Sequence, residues 1–194
     1  MSSLLKTLVF ASALVIAVVN AHANQDNTTP DAAVSDTFIK QIMGDATMAG
    51  AGQMRFFGLL IYDARLWVGP HFEASTFDAH LLALELTYHR AFTGMAIAQR
   101  SIEEIKRQGD LPPAQAQYWQ QTLAALLPDV RPGDRLLGLY QPGQGMRLWR
   151  GTQSLGFIED AELARRFFGI WLSPRTSEPR LRKALLGQHL GAMP

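Results

Sequence analysis

Residues 49–68 read AGAGQMRFFGLLIYDARLWV. Alternating small residues lead into an apolar, aromatic run, Gly58 interrupts it, and a second run continues to Val68 before Gly69-Pro70. Short apolar runs bounded by Gly and Pro are how strands joined by turns present themselves. A third run spans residues 81–88. There Leu82, Leu84, Leu86 and Tyr88 fall on one face, and Glu85 and Thr87 on the other, the period of a strand.

Beyond Tyr88 the period changes. Met95, Ala98, Ile102 and Ile105 recur at helical spacing, with Glu103, Glu104, Lys106 and Arg107 expected outward and Gly109 placed as a stop. Asp110 is positioned to cap a second helix opened by Pro112-Pro113, with Ala116, Trp119, Leu123 and Leu126 as its inner stripe and Pro128 as its end. Two further strands flank the turn Pro142-Gly143-Gln144-Gly145, and a third contains Leu155-Gly156-Phe157-Ile158. Asp160 caps a helix carrying Leu163, Phe167, Phe168 and Trp171, and Ser177 is expected to cap a last short helix ending at Gly187. Strands and helices that come in groups rather than in strict alternation give an α+β fold, an antiparallel sheet with helices on one face.

The beginning of the chain has a different character. Lys6 precedes the apolar run of residues 7–19, and Ala21-His22-Ala23 follows. This is the pattern of a cleavable secretory signal peptide, residues 1–23, cut after Ala23. The apolar run is shorter than the ~20 residues a bilayer-spanning helix needs. A periplasmic location is expected, with residues 24–36 as a flexible leader and residues 37–190 as one domain. Cleavage removes Lys6 and no acid, which leaves a formally neutral chain with no general attraction for nucleic acid. The absence of cysteine excludes disulfides, a thiol nucleophile and thiolate metal sites.

Catalytic signatures are scarce. Residues 49–52 lack the Gly-Lys-Ser/Thr ending of a phosphate loop, and residues 151–156 do not fit the Gly-x-Ser-x-Gly spacing. His71, His80 and His89 recur every nine residues without a metal-binding motif, so neither metal nor cofactor is expected. Arg147, Trp149 and Arg150 set aromatic beside basic residues, but the neutral charge argues against nucleic acid. Arg55 and Tyr62 stand out, because both lie within apolar strand sequence. A guanidinium turned into an apolar cleft needs an anion, and a carboxylate satisfies it with a nearby phenol assisting. Equally open is an Arg55 that faces solvent or pairs with Asp63 or Glu85.

Several segments, taken in order, resemble the chalcone isomerase-like family. They are residues 50–55, 61–68, Leu86-Thr87-Tyr88-His89-Arg90, Pro132-Gly133-Asp134, the strand pair around Gly145, and residues 170–177 with Leu185-Leu186-Gly187. The resemblance covers about residues 38–190, in the same order. The resemblance implies an open-faced β-sandwich, a large antiparallel sheet with a helical layer covering one face. It implies a cleft where Arg55, the counterpart of the family's arginine after a Gly-Ala-Gly stretch, holds a ligand oxygen with Tyr62 beside it. This chain carries one more residue between glycine and arginine than the family pattern. The tyrosine and asparagine of the enzymes' first long helix have no equivalent in residues 95–104, and the late-helix threonine is replaced within Phe167-Phe168-Gly169. The resemblance therefore implies a non-catalytic binder of a small apolar acid such as a fatty acid. The alternatives are an envelope protein-interaction module with a closed cleft, and an isomerase or lyase with an unrecognised active site.

Overall fold

The two-residue alternation of the strands builds the sheet. The computed structural model describes residues 30–187, so the expected signal peptide lies outside the described residues. The strands are β1 (Thr47–Phe56), β2 (Leu59–Val68), β3 (Leu82–Tyr88), β4 (Arg135–Gln141), β5 (Gly145–Arg150) and β6 (Gln153–Ile158). Each is antiparallel to the next, and their order in the sheet is their order in the chain. A short 3-10 turn, Ala74–Ala79, joins β2 to β3. Between β3 and β4 run two helices, numbered here α2 (Gly94–Gln108) and α3 (Pro113–Leu126), and after β6 come α4 (Ala161–Leu172) and α5 (Pro179–Leu185). The expected α+β architecture is observed.

These four helices cover one face of the sheet. Leu66, Leu82, Leu84 and Leu148 from the strands bury against Ile102, Ile105, Leu123 and Phe168 from the helices. Helix α5 lies so close to β1 that a Cβ on Gly50 would come within 2.2 Å of the Ala184 carbonyl oxygen, and one on Gly52 within 2.8 Å of Leu181 Cδ1. The alternating glycines of residues 49–52 are thus a packing surface for a helix backbone.

The opposite face is not bare. Residues 30–36, expected as part of a leader, are helical and begin α1 (Pro30–Met43). Its Ile39 is fully buried among Trp67, Leu137, Leu139 and Trp149 on the back of the sheet. A buried charge cluster fixes it there. Glu85, 2% exposed, accepts from Arg65 Nε at 2.8 Å and from the Ser35 hydroxyl, and Arg65 also pairs with Asp36 at 2.7 Å. A carboxylate so desolvated is stable only because donors surround it. The sequence hid this helix because its charged anchoring partners, Arg65 for Asp36 and Glu85 for Ser35, lie 29 and 50 positions away.

The caps divide. Asp160 accepts from Leu163 N at 2.8 Å and starts α4 as expected. Asp110 and Ser177 do not cap. The N-cap positions of α3 and α5 are Pro112 and Glu178, neither with a side-chain cap bond. Proline at the first helical position of each removes one of the N–H groups that a cap would serve.

Candidate ligand cavity

A cavity of about 310 Å³ opens between the helical layer and the sheet, within the range of small-molecule sites. Its floor is the inward face of β2 and β3, with Tyr62, Leu84, Leu86 and Tyr88. These are the residues that strand alternation places on the core side, and Tyr62 pairs directly with Tyr88 across the sheet. The far wall carries Phe167, Ile170 and Trp171 of α4, and the near wall Ile97, Arg100, Ser101 and Glu104 of α2. Met54 and Phe56 contribute from the end of β1.

The polar groups concentrate around Tyr62. Its hydroxyl accepts the Trp171 indole N–H at 3.0 Å. Burial above all pushes the Tyr62 phenol far up from its usual range. The Trp171 bond offsets this only in part, and the nearby Glu178 and Glu104 push it further. Tyr88 is likewise pushed up by burial, then by Tyr62, and its hydroxyl makes no hydrogen bond to a described residue. Both phenols are donors with a proton held firmly in place.

The charges of the α2 wall are spoken for. Arg100, half exposed, donates to Glu103 at 3.2 Å and lies against Glu104, which is 7% exposed and also 3.5 Å from Arg107. Glu178, at the start of α5, lines the cavity without an ion pair to a described residue.

The two residues singled out in the sequence part company here. Tyr62 lines the cavity, whereas Arg55 is exposed, lies outside the lining, and donates to Gly58 O at 3.2 Å and Gln53 Oε1 at 3.0 Å. Strand geometry explains the difference. Met54 is the residue opposite Tyr62, and the register shifts before Arg55, which pairs with Leu60; neighbouring positions on a strand face opposite ways. Asp63 and Glu85 pair with His89 and Arg65, not with Arg55. Of the cavity's charged residues, Glu104 is one that helical spacing assigns to the outer face, and Arg100 and Glu178 carry no assignment from the sequence. Glu104 belongs to the stripe Ile97–Ser101–Glu104, displaced by one position from the core stripe Ala98–Ile102–Ile105. Polar residues at i+4 and i+7 beside an apolar stripe are the signal that marks a cavity-facing flank. Among the described residues no cluster of His, Asp and Glu is arranged to hold a metal.

Comparison with known proteins agrees with this architecture. An uncharacterized protein of Haemophilus influenzae is 31% identical over 107 residues, 55% of this chain, and the match spans about half of that protein's length (52%). Among solved structures, the fatty-acid binding protein of Arabidopsis thaliana superposes with a TM-score of 0.57. It is 12% identical, over 74% of this chain and 88% of that one, a likeness of fold alone. The family model described as chalcone isomerase-like matches residues 49–187, from the strand that seats α5 to the glycine that ends it. By that match, and by the sheet and helical layer that carry it, the chain belongs to the chalcone isomerase-like family.

Proposed function

We propose that this chain is a non-catalytic periplasmic protein that holds a small apolar molecule, an acyl or alkyl chain with an oxygen-bearing end, between sheet and helices. The observation that carries the reading is the open apolar cavity with its polar groups gathered at Tyr62, Tyr88 and the α2 wall. An acyl chain seated there gains about 0.8 kcal/mol per buried methylene, so a short stretch of chain supports micromolar binding. The structural likeness to a plant fatty-acid binding protein supports an apolar ligand. A binding role fits the two phenols, whose acidity burial suppresses, better than acid–base chemistry near neutral pH. The periplasmic assignment rests on the signal-peptide pattern of residues 1–23.

Native mass spectrometry of the mature protein, before and after addition of long-chain alcohols, esters and acids, tests the reading. One ligand per chain is expected. A protein that stays empty with every one of them overturns it, and leaves a protein-interaction module as the better account.

A further inference from the structure

Resting on that binding reading, we infer that the polar end of the ligand is an uncharged oxygen acceptor, a hydroxyl, ester or other carbonyl, and not a carboxylate. Two independent features of the cavity carry this. The first is the set of hydrogen-bonding groups left over. The Tyr62 hydroxyl accepts from Trp171 Nε1 at 3.0 Å, and no described residue accepts its own proton. The Tyr88 hydroxyl, on a residue 4% exposed, has no described partner at all. A phenol set in an apolar cavity wall gains when a ligand brings its proton an acceptor. Two such donors facing one cavity favour a ligand end that accepts hydrogen bonds.

The second feature is charge. The cation on the cavity wall, Arg100, is held by two carboxylates, Glu103 at 3.2 Å and the buried Glu104 in direct contact. Glu178 adds a further carboxylate to the lining with no ion pair to a described residue. The charged side chains lining the cavity are thus one arginine against two glutamates. An incoming carboxylate meets Glu178, which has no ion pair to a described residue, while Arg100 is already held by Glu103 and Glu104. Arg55, which would relieve that repulsion from within the cavity, is turned away into the β1–β2 turn. A neutral oxygen meets none of these penalties and can accept hydrogen bonds from the phenols.

The test is a head-group series on one chain length: lauryl alcohol, methyl laurate and laurate, each titrated into the mature protein at about pH 8, well above the carboxylate range. The alcohol and the ester are expected to bind at least about tenfold tighter than laurate, the scale of a like-charge penalty. Glu178→Gln, on the partly exposed helix start, is expected to narrow that gap by improving laurate alone. Glu104→Gln is a second variant for the same comparison. Laurate binding as tightly as the alcohol, or a gap unchanged in both folded variants, overturns the inference while the apolar-ligand reading stands. Failure of all three compounds to bind overturns both.

Discussion

Trp171 of α4 donates its indole N–H to the Tyr62 hydroxyl of β2 across 3.0 Å, a bond between residues 109 positions apart that ties the helical layer to the sheet at the edge of the cavity. Because Trp171 is buried and Tyr62 half-buried, losing either leaves the other short of a partner. Tyr62→Phe is expected to destabilise the fold by about 1–3 kcal/mol. Trp171→Phe is expected to cost at least as much, since it also trims ring packing against Phe167. Urea denaturation of the two variants and their double mutant checks this. A double mutant less destabilised than the sum of the singles is the expected mark of a shared bond.

The glycine pair of β1 makes a ranked prediction. A Cβ at position 50 meets backbone oxygen at 2.2 Å, whereas one at position 52 meets the flexible end of Leu181 at 2.8 Å. Gly50→Ala is therefore expected to cost about 1–3 kcal/mol or more, as overpacking does, and Gly52→Ala less. Equal costs in thermal denaturation would contradict the close seating of α5.

This pair also marks what the sequence could and could not say. Leu82, Leu84, Leu86 and Tyr88 announce their common face directly, because side-chain period is a local property of the strand. The helices α2 to α5 are equally legible from periodicity and from proline and glycine at their ends. Glycine at 50 and 52 is ambiguous until α5 is seen on top of it. Helix α1 was illegible because its stability comes from Arg65 and Glu85, residues distant in the chain. Residue character and resemblance put Tyr62 and Arg55 in one cleft, and only Tyr62 lines the cavity: the register shift that turns Arg55 outward is a property of the paired strands, not of the local sequence.

The buried cluster under α1 predicts that Arg65→Met is destabilising by about 3 kcal/mol or more, since it leaves Glu85 with one strong donor fewer in a dry environment. Hydrogen exchange resolves where the loss falls. Faster exchange across residues 33–43, with the strands less affected, is the expected pattern.

Stability at alkaline pH follows from the phenols. Burial raises the Tyr88 pKa in the folded chain above its unfolded value of about 10. The folded state then keeps a proton that the unfolded state releases, so the stabilisation is complete below about pH 10 and is lost as the pH rises beyond it. Urea midpoints measured from about pH 8 to about pH 11 should fall for the wild type. They should fall less steeply for Tyr88→Phe; parallel curves would contradict the burial of that hydroxyl.

Phe57 sits at the β1–β2 turn with φ of 47°, 91% exposed, followed by Gly58 at 80°. Two successive positive φ values suit Asn-Gly far better than Phe-Gly. Phe57→Asn is expected to raise stability by roughly 1 kcal/mol, the lower end of the strain such a residue carries. A fall in the thermal midpoint would show that the Phe56–Phe57 ring contact outweighs the backbone strain.

The central claim, that an apolar ligand lodges between sheet and helices at Tyr62, is tested most directly by the indole N–H resonances in a heteronuclear NMR titration with lauryl alcohol. The Trp171 signal, bonded to Tyr62 at the cavity wall, should shift progressively and saturate, while that of Trp67, buried beneath α1 on the opposite face, stays in place. A saturating shift at Trp67 with Trp171 unmoved, or no shift at either, would contradict the account.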